Sequence, residues 1–335
     1  MKNLLIAFIL ILATATSSRA CDTCGCEICD PGVLNGVLNG IQGYSSGPGL
    51  QQSYFFASVA EQYTDYSHII NVPVGASLNQ FERSAITQFI LGYQINDRLG
   101  VQVNVPYIYR WYRVMNNAGT AMDSGQSDGL GDVSVVANYV VLRDQQGDWG
   151  YTWRVAGGLK LPTGDSGLLA LEAPGTSLVS PLNGAFSAIG GHDVALGSGS
   201  YDGILSTGVS VNRQRWFMTA DADYAIRGTG SFGYRYANEF SGSAGPGYRL
   251  IDNANYALSL QMLVTGEYKG ADTIQGTVTN DTAGKSVSLG PKVLFTWNQH
   301  FTAHLALELP VAEHYDPGFQ ALPTYRLKAG LTFRF

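Results

Sequence analysis

From Tyr325 to Phe335 the chain alternates without a break. Tyr325, Leu327, Ala329, Leu331, Phe333 and Phe335 share one side of an extended strand, and Arg326, Lys328, Gly330, Thr332 and Arg334 share the other. A soluble β-sandwich does not normally place cations on the alternates it buries. A membrane barrel with a wet lumen does, because lipid takes one face and water the other. The same rhythm recurs upstream. Val101, Val103, Val105, Tyr107, Tyr109 and Trp111 share a face, as do Tyr151, Trp153, Val155, Gly157, Leu159 and Leu161. So do Tyr256, Leu258, Leu260, Met262 and Val264, and Phe301, Ala303, Leu305, Leu307, Leu309 and Val311. The pattern predicts an all-β, transmembrane antiparallel β-barrel of the outer-membrane type with about 12 strands. They fall near 51–64, 81–95, 99–112, 131–143, 150–162, 200–212, 215–227, 233–250, 255–268, 286–297, 301–312 and 324–335. The composition fits: 14% of residues are charged, 41 are Gly, 19 are Tyr, and mean hydropathy is near zero. A soluble all-β domain is the competing reading.

The N-terminus indicates the compartment. Met1-Lys2, an apolar run from Leu4 to Leu12 and the stretch Ser18-Arg19-Ala20 read as a secretory signal over residues 1–20. Lipidation of Cys21 is the alternative. Loss of residues 1–20 leaves 18 basic against 26 acidic residues, a net charge of −8. Such a chain has no basic field for nucleic acid. Residues 21–50 form a Cys/Gly-rich lead, and 51–335 the barrel.

The connections alternate in length. Short turns are expected at Asn96-Asp97, Asp144–Asp148, Asn212–Gln214, Ile251–Asn255 and Asn298-Gln299, and longer loops at 65–80, 113–130, 163–199, 269–285 and 313–323. A short loop at 228–232 is the exception. Barrels of this class keep short turns in the periplasm, so both termini are expected there. Trp149, Trp153, Trp216 and Trp297 lie by the short turns, and Tyr109, Trp111, Tyr234, Tyr236, Tyr268 and Tyr325 toward the other rim.

Parity then assigns the lumen. It receives Arg110, Arg154, Lys160, Asp221, Asp223, Arg227, Glu267, Lys292, His304, Glu308, Arg326, Lys328 and Arg334. Groups of both signs either line a water path or pair into a network that closes it. Lys160 with Arg154, and Arg326 with Lys328 and Arg334, favour an anionic solute; Asp221, Asp223, Glu267 and Glu308 argue against a purely anion-selective path.

All four cysteines, Cys21, Cys24, Cys26 and Cys29, lie within nine residues. Four thiolates on so short a segment suit Zn²⁺, Cu(I) or an iron–sulfur centre. Gly25 and Asp30 stand where covalent haem attachment needs His. A pair of local disulfides is the alternative. Behind the cysteines, Val33, Leu34, Val37, Leu38 and Ile41 keep helical spacing, which suits a short amphipathic plug or surface segment. Asp123, Asp128 and Asp132 are a weaker candidate for Ca²⁺, without the EF-hand spacing. Asn280-Asp281-Thr282 matches a glycosylation sequon that a bacterial-type signal makes irrelevant. The chain has no HExxH and its five His are scattered, so it is not expected to be an enzyme.

Strand-edge motifs add a resemblance. Gly129-Leu130-Gly131-Asp132 opens one strand, Gly158-Leu159-Lys160-Leu161-Pro162-Thr163-Gly164-Asp165 closes the next, and Gly197-Ser198-Gly199-Ser200-Tyr201-Asp202 opens the one after. Over residues 50–335 the sequence resembles the outer-membrane transporter family named after the meta-pathway of phenol degradation. The terminal Phe335 resembles the assembly signal of bacterial outer-membrane barrels. The resemblance implies a channel for small, often aromatic or apolar solutes, and the cysteine lead lies outside it. Two functions follow as expectations. One is a solute channel with a periplasmic metal or redox element. The other is a closed barrel anchoring the cysteine site for a periplasmic protein partner.

Overall fold

The computed structural model describes residues 53–335 apart from 176–179, 280–281 and 299. The signal segment, the cysteine lead, the 32–44 segment and the sequon's Asn280 and Asp281 lie outside the described residues.

Twelve long strands follow one another around a closed antiparallel barrel. They are β1 (Tyr54–Tyr66), β2 (Phe81–Gln94), β3 (Leu99–Met115), β4 (Ser134–Gln146), β5 (Trp149–Lys160), β6 (Asp202–Arg213), β7 (Trp216–Ile226), β8 (Glu239–Asp252), β9 (Tyr256–Lys269), β10 (Gly284–Trp297), β11 (Phe301–Tyr315) and β12 (Tyr325–Arg334). Each pairs with its neighbours in sequence, and β12 returns to β1 in the register Phe56↔Arg334 through Asp65↔Tyr325. Closure satisfies the ladder and removes the edge strands that lipid would leave unpaired.

Successive residues point in and out, and the composition follows. Val59, Leu91, Leu205, Met262, Leu305, Leu331 and Phe333 are exposed on the outside. Ser58, Gln62, Gln102, Asn104, Asn138, Thr152, Ser210 and Thr332 are buried inside. Aromatic rings cluster near the short-turn end, with Phe55 against Tyr93 at 4.5 Å and Phe301 against Phe333 at 5.0 Å. Tyr63 against Tyr325 at 6.0 Å, and Tyr109 against Trp111 at 4.0 Å, mark the other rim. Polar pairs also occur on the outer face, as where Thr87 donates to the Glu61 carboxylate.

The short turns are locally specified. The Asn96 side-chain oxygen accepts from the amides of Arg98 and Leu99, each at 2.9 Å, and that of Asn253 accepts from the amides of Asn255 and Tyr256 at 3.0 Å. β1 begins and β12 ends at this same end, where Phe55 and Phe335 exchange backbone hydrogen bonds of 3.0 Å.

Two expectations at the loop end need correction. The stretch 113–130 is not simply a loop: β3 continues to Met115, and Met122–Leu130 folds back onto it. The eighth strand begins at Glu239 rather than near 233, so the connection after β7 runs over 227–238 and is not short. Tyr234 and Tyr236, which alternate like a strand, instead turn inward and are 2% exposed, with Tyr234-Arg235 pairing to Thr273-Ile274. The exception in the turn-and-loop rhythm therefore disappears.

Candidate functional site

The described residues of the connection over 161–201 fold into the loop-end mouth of the barrel. It carries two short 3₁₀ turns, Gly167–Glu172 and Pro181–Asn183, and one helical turn, Gly191–Val194. Leu169, Val194 and Ala195 are fully buried. They pack on apolar residues at inward positions of the barrel. Val136 and Ile204 hold Leu169 and Ala195, Val114 holds Val194 and Ile189, and Ile86 with Ile108 holds Leu196. A water-filled lumen has no use for these side chains at inward parity. An inserted loop does, since burying each contributes about 1.5–3 kcal/mol.

A buried polar knot holds the loop's stem. The Lys160 ammonium touches Asp132 and Ser198 and lies 2.9 Å from Asp202. Arg227 continues the chain to Asp202 at 3.1 Å and to Glu239 at 2.8 Å. Asp132 also accepts from the amides of Gly164 and Ser198, each at 2.9 Å. The glycines allow this approach: a Cβ on Gly197 would sit 2.5 Å from the Gly164 carbonyl oxygen, and one on Gly164 2.7 Å from that of Leu196. The three separated strand-edge motifs of the sequence thus meet in one cluster. On β3, Arg110 donates to the carbonyls of Asp193 and Ala195, the latter at 3.1 Å, and its Nε lies 3.7 Å from Glu82.

His192 ties the tip of the loop together. Its Nδ1 lies 2.9 Å from Glu172 and its Nε2 3.3 Å from Asp193. The Tyr234 ring stacks on the imidazole at 5.8 Å, and the Tyr236 hydroxyl donates to the His192 carbonyl at 2.9 Å. Burial opposes a charge on the imidazole, but Asp193 and Glu172 outweigh it and raise the His192 pKa to about 10. Burial likewise opposes the Glu172 carboxylate, and His192 beside it wins, lowering its pKa. Tyr234 donates to Asp272 at 2.5 Å, and burial followed by that carboxylate push its phenol well above the usual range.

Because the loop leans on β2 to β6, space remains on the other side. A cavity of about 350 Å³ lies between loop and wall, lined among others by Tyr66, Glu82, Leu182, His192, Lys269 and Phe319. Toward the barrel centre from that wall, Arg326 on β12 bonds Glu267 on β9 and, at 3.2 Å, Glu308 on β11. Lys328 adds a 3.3 Å pair to Glu308, and Ser286 and Thr265 donate to the two carboxylates at 3.2 Å. An ion pair from β12 to β9 passes over β10 and β11, so it projects across the lumen.

The sequence-derived charges therefore fall into separate groups. Lys160 joins the stem, Arg110 pins the loop, and Glu267, Glu308, Arg326 and Lys328 form the bridge. Arg154 and Asp221 flank Gly208 in register on β5 and β7, and Asp223 accepts from Ser206. His304 rests over Gly330, where a Cβ would meet the ring at 2.3 Å, and Arg334 lies at the short-turn rim opposite Phe56. The anion-favouring role expected for Lys160, Arg326 and Lys328 needs correction, because each is taken up by a carboxylate. The acidic trio is also separated: Asp128 accepts from Tyr107 at 2.7 Å, while Asp132 is bound to Lys160. Among the described residues no cluster of His, Cys, Asp and Glu could hold a metal ion. Cys21, Cys24, Cys26 and Cys29 lie outside those residues. What the motif reading missed was the inserted loop, although apolar residues at inward parity, Ile86, Ile108, Val114, Val136 and Ile204, carried its signal.

Fold and site define a transmembrane β-barrel of the outer-membrane type whose mouth is narrowed by one of its own loops. No protein-family profile matches the sequence, and no curated protein does. Among solved structures, the chain is similar in fold to the COG4313 outer membrane channel from Pseudomonas putida F1. The TM-score is 0.59 at 14% identity, over 87% of this chain and 99% of that one. The β-domain of the Bordetella autotransporter BrkA follows at 0.43 and 10%, over 85% and 100% of the two chains. The CymD monoaromatic hydrocarbon channel gives 0.35 and 10%, over 92% and 93%.

Proposed function

We propose that this protein is an outer-membrane channel for small solutes, gated by its 161–201 loop, with the short turns in the periplasm. The observation that carries the reading is the inserted loop itself: it fills one side of a polar lumen and leaves a roughly 350 Å³ cavity on the other. A barrel serving only as an anchor needs no such cavity above a breakable ionic bridge. The mixture of Leu182 and Phe319 with Glu82 and Lys269 around it suits a solute with apolar surface and one polar group. The resemblance to phenol-pathway transporters and the fold of the COG4313 channel support the same class. In this orientation the segment bearing Cys21, Cys24, Cys26 and Cys29 leaves β1 on the periplasmic side, where a metal or redox role would face a periplasmic partner.

Single-channel recording of the refolded full-length protein in a planar bilayer tests this reading, alongside Arg110→Ala. We expect small discrete steps from the wild type, and more frequent or larger ones once Arg110 no longer holds Asp193 and Ala195. Silence from both, with no solute-driven swelling of liposomes, would instead favour the closed-barrel reading.

A further inference from the structure

A cation lower in the lumen stands apart from these pairs. Lys292, at an inward position of β10, is only 7% exposed, and among the described residues it forms no ion pair or hydrogen bond. Its Nζ is not one of the buried polar atoms left without a partner, so the ammonium opens on the lumen, where it is available to a visiting anion. Its register neighbours are Gln261 on β9 and Ala306 on β11. The Gln261 amide is turned away, donating to Thr219 at 2.8 Å and to the Gly245 carbonyl at 2.9 Å. Leu263 and Leu294 stand at neighbouring inward places on β9 and β10, with Ser259 and Gly290 at the others, so apolar side chains border the position of the lysine. Glu308, one inward place beyond Ala306, is occupied by Arg326 at 3.2 Å and Lys328 at 3.3 Å.

Inward ionisable groups in this lower part of the lumen pair with one another: Arg154 faces Asp221 across Gly208, and Arg249 lies 3.8 Å from Asp252. Lys292 has Leu263 and Leu294 at neighbouring inward places and the ionic bridge above.

We propose that Lys292 is the centre of a binding site for a small amphipathic carboxylate. The carboxylate takes the ammonium, and the apolar body lies on Leu263, Leu294 and Ala306. This deepens the channel reading and rests on it for its purpose, though not for its test. The anion preference that Lys160, Arg326 and Lys328 cannot supply would then reside at Lys292.

Calorimetric titration of the folded full-length protein in detergent tests the site, with benzoate as probe and benzyl alcohol and inorganic phosphate as comparisons. We expect one benzoate site in the wild type, retained within about threefold in Lys292→Arg and weakened at least tenfold in Lys292→Met. Benzyl alcohol should bind at least tenfold more weakly than benzoate. Benzoate binding that is absent, or unchanged in Lys292→Met, would overturn the proposal, as would equal binding of benzyl alcohol. Phosphate binding as tight as benzoate would reduce the site to a general anion site and overturn the amphipathic class. Conductance is read separately: a conducting protein without benzoate binding refutes this site alone, and binding without conductance refutes the channel alone.

Discussion

Single residues decide whether the loop's stem can close. Lys160 is fully buried between Asp132 and Asp202, so Lys160→Met leaves two carboxylates in a dry site with one cation fewer. Breaking such a buried pair costs about 3–5 kcal/mol. The expected result is a drop of that size in the unfolding free energy, read from urea titration of the heat-modifiable band. Gly197→Ala should also destabilise, by roughly 1–3 kcal/mol on the same assay, because its Cβ would sit 2.5 Å from a backbone oxygen that has little room to retreat. Glu61 is the opposite case. It stands on the lipid face, bonded there to Thr87, where a carboxylate is unfavourable. Glu61→Gln should keep that hydrogen bond and leave stability unchanged or higher. A clear loss would mean that something other than lipid covers this face.

At the scale of elements, the loop tip is a charge-dependent clamp. His192 has its pKa raised to about 10 by Asp193 and Glu172. Its contribution is therefore complete below the ordinary histidine pKa near 6.5 and is lost as pH rises through about 10. Glu172 has its pKa lowered, so its contribution is present above the ordinary carboxylate range and is lost only in acid. The loop should stay seated across neutral pH and loosen above about pH 10, seen as increased protease cleavage within 161–201. His192→Gln should remove the alkaline transition. The strands were legible in sequence because lipid outside and water inside impose opposite demands on alternate residues, and Val101 to Trp111 or Phe301 to Val311 obey them strictly. Tyr234 and Tyr236 misled for the same reason: they alternate, but their partners are Leu169 and Ala195 of the inserted loop rather than lipid.

For the whole molecule, closing the barrel satisfies the backbone, while the inserted loop determines whether the enclosed space is a path. The first property follows from local alternation. The second depends on contacts distant in sequence, such as Arg110 with Asp193 and Asp132 with Ser198, which no periodicity announces. What parity left open was which of the charges pair. The stem offers a direct way to remove the loop without disturbing the barrel, because Leu196 and Gly197 both donate to the Asp165 carbonyl, at 3.0 and 2.9 Å. Residues 166–195 can then be excised with Asp165 joined to Leu196, leaving the Lys160 knot intact. The decisive measurement is the single-channel conductance of this excised protein beside the full-length one. The account predicts a several-fold larger, steadily open conductance after excision, and equal conductance from the two folded proteins would contradict it.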